Sequence, residues 1–260
     1  MSRSLAVTKM HGACNDFVVI DLRTQPFASL RAFARWVCDR RTGIGADGVI
    51  AIEASDGGRI AMRTFNADGS EAEMCGNGVR CAARWLDEAG AGDELEFATD
   101  SGVVRTRVVA RAPEYLVRAV VAVPRITAYE GPAGSGFAVD VGNPHAVFFR
   151  PNVDDFDLVT VAEALASDPV FPHGANVHVA SVEGKQALRV RHWERGVGLT
   201  RACGSGAVAC AAAAIAAGLV VSPVEINVPG GRLVVEWDGL GPAALTGPAE
   251  RVFDTAVCDR

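Results

Sequence analysis

Lysine is scarce in this sequence, since Lys9 and Lys185 are the only two and all other basic side chains are arginines. A pyridoxal cofactor is held through a Schiff base to a lysine, so few positions could carry one. A basic stripe is also missing, because the formal net charge is −6 and the arginines are interspersed with acidic residues. Nothing would therefore neutralise a phosphate backbone, and we predict no nucleic-acid partner.

Long apolar runs and a secretion signal are also absent. The longest apolar run, residues 206–221, is mostly alanine and falls short of the ~18 to 20 residues that a membrane-spanning helix needs. We predict a helix buried in protein there, and no membrane partner. Residues 1–12 lack the apolar core of a signal peptide, and the seven cysteines are an odd number. We expect reduced thiols and a cytoplasmic protein.

Spacings typical of metal and nucleotide sites are missing as well. The seven cysteines and five histidines include no Cys-x-x-Cys and no His-x-x-x-His pair, so we predict no metal. Residues 43–48 do spell Gly-x-Gly-x-x-Gly. A predicted helix precedes this motif and a predicted strand follows it, which is the reverse of the dinucleotide-binding order. We interpret the motif as a glycine-rich turn and expect no cofactor.

What the sequence does contain is enough apolar material for folded cores, with 49% hydrophobic residues in 260. That length suits one large domain or two small ones. Alternation of apolar and polar residues predicts strands, and apolar residues at helical spacing predict helices. The clearest predicted strands are residues 49–52, 103–108, 187–191 and 233–237, and the clearest predicted helices are about 29–40, 76–89 and 204–218.

Two of the predicted helices begin with the same signature. Cys75-Gly76-Asn77-Gly78 opens one and Cys203-Gly204-Ser205-Gly206 opens the other, about half a chain apart. A weaker echo pairs the segment around Asn15 with the one around Asn143. Such long-period similarity predicts two copies of one strand-rich unit around a helix, with a site between them. The boundary falls in the Gly- and Pro-rich stretch 124–136, which gives units of residues 1–126 and 127–249.

The repeated signature places a thiol beside an anion-binding backbone. A helix N-terminus carries N–H groups without intrahelical partners, and its partial positive charge stabilises a thiolate and lowers the thiol pKa. The glycines after each cysteine let a carboxylate approach those N–H groups closely. We therefore predict that Cys75 and Cys203 have lowered pKa values and lie next to a carboxylate site.

Two such thiols facing one carbon could invert its configuration without a cofactor. A thiolate on one side removes the α-proton, a thiol on the other side returns one, and the N–H donors stabilise the charge that develops on the carboxylate. This chemistry predicts sulfurs on the order of 7 Å apart, too far for a disulfide. A cysteine is more often a small buried hydrophobe, and we interpret the remaining in-core thiols in that way: Cys38, Cys81, Cys210 and Cys258.

Other polar residues have both a functional and an ordinary interpretation. His145 follows a proline-fixed turn and could tune a nearby thiol, although a buried or exposed histidine with ordinary partners is common. Glu194 and Arg195 precede Cys203 and could hold an ammonium and a carboxylate, or form a solvated pair. Turn formation is the ordinary explanation for three asparagines in loop contexts, which are Asn15, Asn66 and Asn176.

These motifs, in this order, resemble the diaminopimelate epimerase family over nearly the whole chain. The resemblance is carried by the following blocks: residues 10–12 with 15–17, residues 43–48, residues 65–70, residues 74–80, residues 142–145, residues 194–196 with 202–206, and residues 228–231. It implies a cofactor-independent isomerase that interconverts the LL and meso forms of 2,6-diaminopimelate. It also implies a homodimer that serves lysine and peptidoglycan precursor biosynthesis.

The resemblance further implies a fold and a set of roles. The fold is an α+β arrangement of two pseudo-symmetric units, each a curved sheet or open barrel around a central helix, with a strand at about 250–260 completing the first unit. Cys75 and Cys203 are the implied acid/base pair, and His145 is a supporting residue. The implied substrate-binding residues are Gly76, Asn77, Gly204 and Ser205 for the reacting carboxylate, with Asn15, Asn66, Asn143, Asn176, Glu194 and Arg195 for the rest of the substrate.

Some positions depart from the family pattern, and other functions remain open. Cys14 stands where the family commonly has Gly, Leu199 where many members have Glu, Gly48 where some have Gln, and Ala175 where Val often occurs. One alternative is a racemase or epimerase of proline, hydroxyproline or histidine on the same scaffold. Another is an amino-acid-binding protein without catalysis, which would need no second thiol.

Overall fold

The computed structural model describes residues 4–25, 27, 29–55, 59–72 and 75–258, and within these ranges the chain forms 18 strands and four helices. Met74, which belongs to one of the family-like blocks, lies outside the described residues. None of the helices in these ranges is both long and apolar enough to cross a membrane. The strand-rich α+β fold predicted from the sequence is confirmed.

The chain divides into two units, Met1–Ala119 with Pro248–Arg260, and Val120–Gly247. The elements of the first are β1 (Ser4–Gly12), β2 (Asn15–Asp21), α1 (Leu30–Val37), β3 (Gly48–Ala54), β4 (Ile60–Asn66), β5 (Glu71–Ala72), α2 (Gly76–Glu88), β6 (Glu94–Thr99), β7 (Gly102–Ala110), β8 (Leu116–Val120) and β18 (Glu250–Cys258). Those of the second are β9 (Arg125–Gly131), β10 (Gly134–Asp140), β11 (Pro144–Phe149), α3 (Leu158–Leu165), β12 (Asn176–Gly184), β13 (Ala187–Glu194), β14 (Gly198–Thr200), α4 (Gly204–Ala216), β15 (Val224–Val228), β16 (Gly231–Glu236) and β17 (Ala244–Pro248). The sequence-based boundaries, at 126/127 and about 250, stay a prediction about domain organisation.

The strands of the first unit form one continuous ladder. Strand β18 pairs antiparallel with β1, β1 antiparallel with β2, β2 parallel with β3, and β3 antiparallel with β4. Strand β4 then pairs antiparallel with the short β5 and parallel with β6, which continues antiparallel into β7. The last strand of the chain thus returns to this unit.

The second unit repeats that ladder step for step. Strand β9 pairs antiparallel with β10, β10 antiparallel with β11, β11 parallel with β12, and β12 antiparallel with β13. Strand β13 pairs antiparallel with the short β14 and parallel with β15, which pairs antiparallel with β16. The repeat predicted from two short signatures therefore extends through eight strands of each unit, and residues at the same register position of the two ladders can be compared.

Each unit has one helix inside the curve of its sheet and one outside. Helix α2 contacts strands from both ends and the middle of its sheet, and α4 does the same in its own unit. The outer helices complete separate hydrophobic clusters, with α1 on β1–β4 and α3 on β11 and β12. Because α4 is enclosed on all sides, its six alanines between residues 207 and 214 are all buried, as the apolar run predicted.

Three of the four described helices were predicted, within a few residues at their ends. Helix α3 was not, because Leu158-Val159-Thr160-Val161 has the β-branched composition of a strand. Its helical state is fixed by Asp157, whose carboxylate accepts hydrogen bonds from the N–H groups of Val159 and Thr160. Leu158, Ala162 and Leu165 are buried against the sheet, and this packing also stabilises the helix.

Candidate active site

Cys75 is the N-cap of α2, and its side chain faces the first turn of that helix. Its backbone is extended, with φ −133° and ψ 104°, and its Sγ accepts a hydrogen bond of 3.3 Å from the Gly78 N–H. The first intrahelical bond runs from Val79 N–H to the Cys75 carbonyl. The N–H groups of Gly76 and Asn77 precede that bond, so they are the orphan donors of this helix start.

Cys203 has the same geometry at the start of α4. Its φ is −126° and its ψ 114°, and its Sγ accepts a 3.3 Å hydrogen bond from the Gly206 N–H. Ala207 N–H closes the first intrahelical bond onto the Cys203 carbonyl, which leaves Gly204 and Ser205 as the orphan donors. The Ser205 hydroxyl also lies 3.5 Å from the Cys203 sulfur. Both helix starts can therefore receive an anion beside a thiol.

The predicted lowering of the thiol pKa is wrong for Cys203. Burial raises the pKa of Cys203 well above its ordinary value, and the nearby carboxylate of Glu194 raises it further. The Ser205 hydroxyl and the Gly206 N–H act in the opposite direction but do not prevail. The sequence showed the helix N-terminus but not the enclosure of the sulfur, which is 4% exposed.

Two of the predicted substrate-binding asparagines, Asn77 and Asn15, are joined in one oriented chain. The side-chain oxygen of the buried Asn77 accepts a hydrogen bond from Arg80 (2.8 Å), and its Nδ2 donates one to Asn15 Oδ1 (3.0 Å). Asn15 in turn donates from Nδ2 to Asp47 (2.8 Å). Because every link has a fixed donor and acceptor, the amide of Asn15 has one orientation, with a second Nδ2 hydrogen remaining for a ligand.

Charged residues anchor the far end of that chain. Asp47 binds Arg40 (2.8 Å), Arg40 also binds Asp16 (2.9 Å), and Asp16 binds Lys9 (2.6 Å). Burial favours the neutral form of Asp16, but hydrogen bonds from Arg40 and Lys9 outweigh it and lower its pKa to about 2. Asp47 was missed as a site residue, although it lies in the Gly-x-Gly-x-x-Gly motif that was interpreted as a turn.

Asn66 ends β4 and belongs to a neighbouring turn. Its Nδ2 donates to the Ser70 hydroxyl (2.9 Å), while the N–H of the next residue, Ala67, donates to the Asp47 carbonyl (3.1 Å). Asp47 therefore connects the Asn15 side chain to the Asn66 turn. Asn66 is exposed, and its role in binding stays a prediction.

In the second unit, three predicted residues meet where β12 begins and β13 ends. Asn176 accepts a 2.9 Å hydrogen bond from the Arg195 backbone N–H, and Arg195 donates from its guanidinium to the His173 carbonyl (2.6 Å). Glu194 is the last residue of β13 and lies close enough to Cys203 to interact with its sulfur electrostatically. The structure thus brings Asn176 and Arg195 together and places the neighbouring Glu194 beside Cys203.

Asn143 is held by a chain of three buried histidines. His145 Nε2 lies 2.8 Å from Asn143 Oδ1, His145 Nδ1 lies 2.7 Å from His178 Nε2, and the Nδ1 atoms of His178 and His192 are 2.8 Å apart. The three imidazoles are at most 1% exposed. Because the Asn143 oxygen can only accept, the protons run in one direction along the chain, and Asn143 presents its NH₂ group away from His145.

Burial lowers the pKa of all three histidines, so the chain is neutral. The pKa falls to about 3 for His145 and for His192, and well below the ordinary value for His178, where the neighbouring imidazoles add to the effect.

No group of three or more His, Cys, Asp or Glu side chains in the described part of the chain is arranged to hold a metal ion. His178 and His192 carry no sequence motif, and sequence reasoning missed them both.

Strand register shows what the first unit has in place of these histidines. His178 opposes His192 as Ile50 opposes Thr64 in the first unit. The glycine of each helix start packs on this position, because a Cβ at Gly206 would lie 2.5 Å from His178 Cε1, whereas one at Gly78 would lie 3.4 Å from Ile50 Cδ1. A side chain at Gly206 would therefore clash with His178, whereas one at Gly78 would make only an ordinary contact with Ile50.

Two of the departures from the family pattern have structural consequences. Cys14 and Ala13 form the two-residue turn between β1 and β2, and both have positive φ, at 66° and 52°. Positive φ at both positions favours glycine or asparagine. Gly48 is required by its own surroundings, because a Cβ there would lie 2.5 Å from the Phe65 carbonyl oxygen. Leu199 is exposed on β14, and the structure gives no reason for leucine there.

Replacing Cys14 with glycine is expected to stabilise the protein by about 1 kcal/mol, because a side chain with positive φ is strained in the left-handed region. Urea denaturation of the wild type and Cys14→Gly measures the difference. Cys14→Ala is the matched control, since it removes the thiol but keeps the Cβ. Equal stabilisation by both variants would show that the turn is not the cause.

Solved structures of other proteins share the fold of this chain. The structure of a Bacillus anthracis phenazine biosynthesis protein of the PhzF family superposes with a TM-score of 0.78 at 15% identity, over 98% of this chain and 99% of that one. A hydroxyproline epimerase from Agrobacterium vitis superposes with a TM-score of 0.72, also at 15% identity, over 98% and 91%. At these identities the likeness establishes the fold alone.

Sequence comparison gives the particular family. The family described as diaminopimelate epimerase matches residues 7–122 and 137–252. A diaminopimelate epimerase from Sphingopyxis alaskensis is 44% identical over 259 residues, covering 95% of both chains, and one from Erythrobacter litoralis is 42% identical over 96% of both. The chain belongs to the diaminopimelate epimerase family, and it is an isomerase.

Proposed function

We propose that this protein interconverts LL- and meso-2,6-diaminopimelate with Cys75 and Cys203 as the acid/base pair. The observation that carries the proposal is the identical placement of the two cysteines. Each caps the equivalent helix of its unit, with an extended backbone and a 3.3 Å hydrogen bond to Sγ from the second glycine of the signature. Relatives named diaminopimelate epimerase at 42–44% identity support the same activity.

The proposed reaction moves one proton at a time and needs no change of oxidation state. The thiolate of one cysteine takes the α-proton, and the C–H electron pair passes into the carboxylate, which becomes enediolate-like. The thiol of the other cysteine then gives its proton to the opposite face of the carbon. Orphan N–H groups at the helix starts stabilise the negative charge as it develops. After inversion the two sulfurs have exchanged protonation states, and solvent exchange restores them.

The remaining predicted residues suit a substrate with a second charged end. In the second unit, Asn176 orients the Arg195 backbone, and the Arg195 guanidinium is anchored on a backbone carbonyl. In the first unit the Asn77–Asn15–Asp47 chain fixes one Asn15 amide hydrogen for a ligand. Several charged and amide groups beyond the carboxylate site favour a distal amino-acid group over the small ring of proline.

Incubation with LL-diaminopimelate in deuterated water tests this function. We expect meso product with deuterium at the inverted carbon, because the proton delivered comes from a solvent-exchanged thiol. Mass spectrometry measures the label and chiral chromatography the configuration. Parallel incubations with proline and histidine complete the panel. Inversion of proline or histidine, but not of diaminopimelate, would show that the substrate is another amino acid. The absence of both label and inversion with every substrate would overturn the epimerase activity.

We further propose that the protein acts in the cytoplasm as a homodimer, in the supply of lysine and peptidoglycan precursors. A thiol mechanism favours a reducing compartment, and no disulfide forms within the described residues. Support for association comes from β18, on which Val252 and Phe253 are 52% and 44% exposed. Sedimentation of the wild type and of Phe253→Asp tests the dimer, which the aspartate should weaken.

A further inference from the structure

Arg80 is a buried cation beside one of the two cysteines. It lies in the second turn of α2, is 0% exposed, and donates to the Gly76 carbonyl (3.0 Å), the Asn77 side-chain oxygen (2.8 Å) and the Pro248 carbonyl (3.3 Å). All three acceptors are neutral, and no carboxylate of the described residues forms an ion pair with it. Burying a charge without a counter-ion is costly, so the position calls for an explanation.

Its electrostatic partners are the thiols around it. Burial lowers the pKa of Arg80 to about 10, and interactions with Cys81 and Cys75 oppose that shift. Cys81 is fully buried, and burial raises its pKa to about 12, so it stays neutral. Cys75 is only half-buried, and it is therefore the group near Arg80 that can become an anion and compensate the guanidinium.

Other charged groups on the strands packed against α2 are engaged elsewhere. Glu250 of β18 is bound by Arg84 (3.2 Å), and Lys9 of β1 is bound by Asp16 (2.6 Å). Asp47 and Asp16, at the other end of the asparagine chain, are neutralised by Arg40 and Lys9. His11 of β1 is half-buried and, like Arg80, would add no negative charge. Among the residues that the structure describes, Arg80 is thus the charged group at the start of α2 that no carboxylate neutralises.

The second unit lacks this cation at the equivalent place. Counting from the first helical residue, Gly76 corresponds to Gly204 and Arg80 to Val208, which is fully buried and apolar. The groups that face Cys203 are the Glu194 carboxylate from β13, the Ser205 hydroxyl and, across Gly206, the neutral His178 of β12. The two units therefore repeat the backbone but differ in the charge beside their cysteines.

We propose that Arg80 is a positioning residue that acts through Cys75, holding Cys75 as the thiolate before substrate binds while Cys203 remains a thiol. This inference rests on the proposed two-thiol reaction and assigns its first step. Cys75 removes the proton from the epimer bound by the resting enzyme, and Cys203 returns one. A buried guanidinium is suited to this role because it stays charged at any working pH and has fixed geometry.

Alkylation of the substrate-free protein tests the assignment. Short pulses of iodoacetamide between pH 5.5 and 9, followed by peptide mass spectrometry, give separate pH–rate profiles for Cys75 and Cys203. In the wild type we expect Cys75 to react at least ~10-fold faster at pH 7, with its half-maximal rate below pH ~8.5, the midpoint of an ordinary thiol. Faster reaction of Cys203 would overturn the proposal without need of any variant.

Variants at position 80 separate charge from hydrogen bonding. Arg80→Gln is expected to move the Cys75 profile up by about one pH unit or more, because it removes a neighbouring positive charge. Arg80→Lys also loses the guanidinium hydrogen bonds but keeps the charge, and it should restore most of the shift. Arg84→Gln, one turn further along α2 and engaged by carboxylates, is the control that should not move the profile. Equal shifts for Arg80→Gln and Arg80→Lys would refute the electrostatic role.

This test is independent of the epimerase assay. Alkylation requires no substrate, so a protein with the expected order of reactivity that incorporates no deuterium would keep the effect of Arg80 on the Cys75 thiol. It would overturn the proposed function and, with it, the assignment of the first step. A protein that epimerises diaminopimelate but alkylates first at Cys203 would keep the function and overturn the role of Arg80.

Discussion

Cys203→Ala and Cys75→Ala are each expected to lower the rate of epimerisation by about 10²- to 10⁴-fold, the range that a positioned acid or base contributes. Inversion needs one proton removed from one face and one delivered to the other, so neither sulfur can replace its counterpart. Initial rates of LL-to-meso conversion measure the loss. An alanine variant with near wild-type activity would remove that cysteine from the mechanism.

Deuterium uptake by the same variants shows which face of the α-carbon each thiol serves. A single remaining thiolate can remove the α-proton of the epimer that faces it and return a solvent deuteron to the same face. Each single variant should therefore label one epimer without inverting it, and the two variants should label opposite epimers. The double variant should label neither. Labelling of the same epimer by both single variants would contradict the assignment of one thiol to each face.

Two buried cysteines provide matched controls in the same helices. Cys81 in α2 and Cys210 in α4 are both 0% exposed and lie beyond the first turn. Cys81→Ala and Cys210→Ala remove a sulfur from the core, so they should lower stability by about 1 kcal/mol but leave inversion intact. Thermal unfolding and the epimerase assay together distinguish lost packing from lost chemistry.

Acidification from pH 7 to pH 5 is expected to destabilise the second unit by roughly 6 kcal/mol through its three buried histidines. In the folded protein burial lowers the pKa of His145 and of His192 to about 3 and that of His178 well below its ordinary value, whereas unfolded histidine titrates near pH ~6.5. Below that pH the unfolded chain binds protons that the folded chain rejects, so stability falls as the pH drops.

The size of this loss of stability follows from the uptake of one proton by each of the three histidines on unfolding. Each contributes about 1.4 kcal/mol per pH unit once the pH is well below 6.5. For His145 and His192 the loss continues until their folded pKa of about 3 is reached. Carboxylates with lowered pKa act in a lower range, since Asp16 with its pKa of about 2 loses its contribution only below pH ~4. Urea denaturation at several pH values between 7 and 5 measures the slope.

The repeat supplies the control for this experiment. His178→Ile with His192→Thr introduces the residues that occupy the equivalent register positions, Ile50 and Thr64, in the first unit. The pH slope should fall from about three protons to about one, whatever the stability of the variant at pH 7. An unchanged slope would show that other groups account for acid sensitivity.

Local signals in the sequence were sufficient to predict the repeat and to place Cys75 and Cys203 at the starts of two helices. The Cys-Gly-polar-Gly signature specifies a helix start by short-range chemistry, because the N-cap sulfur accepts an N–H only three residues away. The alternating strands and the alanine-rich central helix follow from periodicity in the same way. The helix α3 was missed where a capping bond and packing overrode a strand-like composition.

The charges around the two cysteines were decided by contacts that the sequence does not display. Glu194, at the end of a strand and nine residues before Cys203, raises the pKa of that thiol. Arg80 donates a hydrogen bond to the carbonyl of Pro248, which is 168 residues away in the sequence. His145, His178 and His192 form one chain only because β11, β12 and β13 are neighbours in register. The sequence by itself determined where the thiols and the helix starts are, since those depend on adjacent residues. Only the tertiary structure decided how deeply each thiol is buried and which charged groups lie near it, because desolvation and Coulomb interactions depend on distance in space.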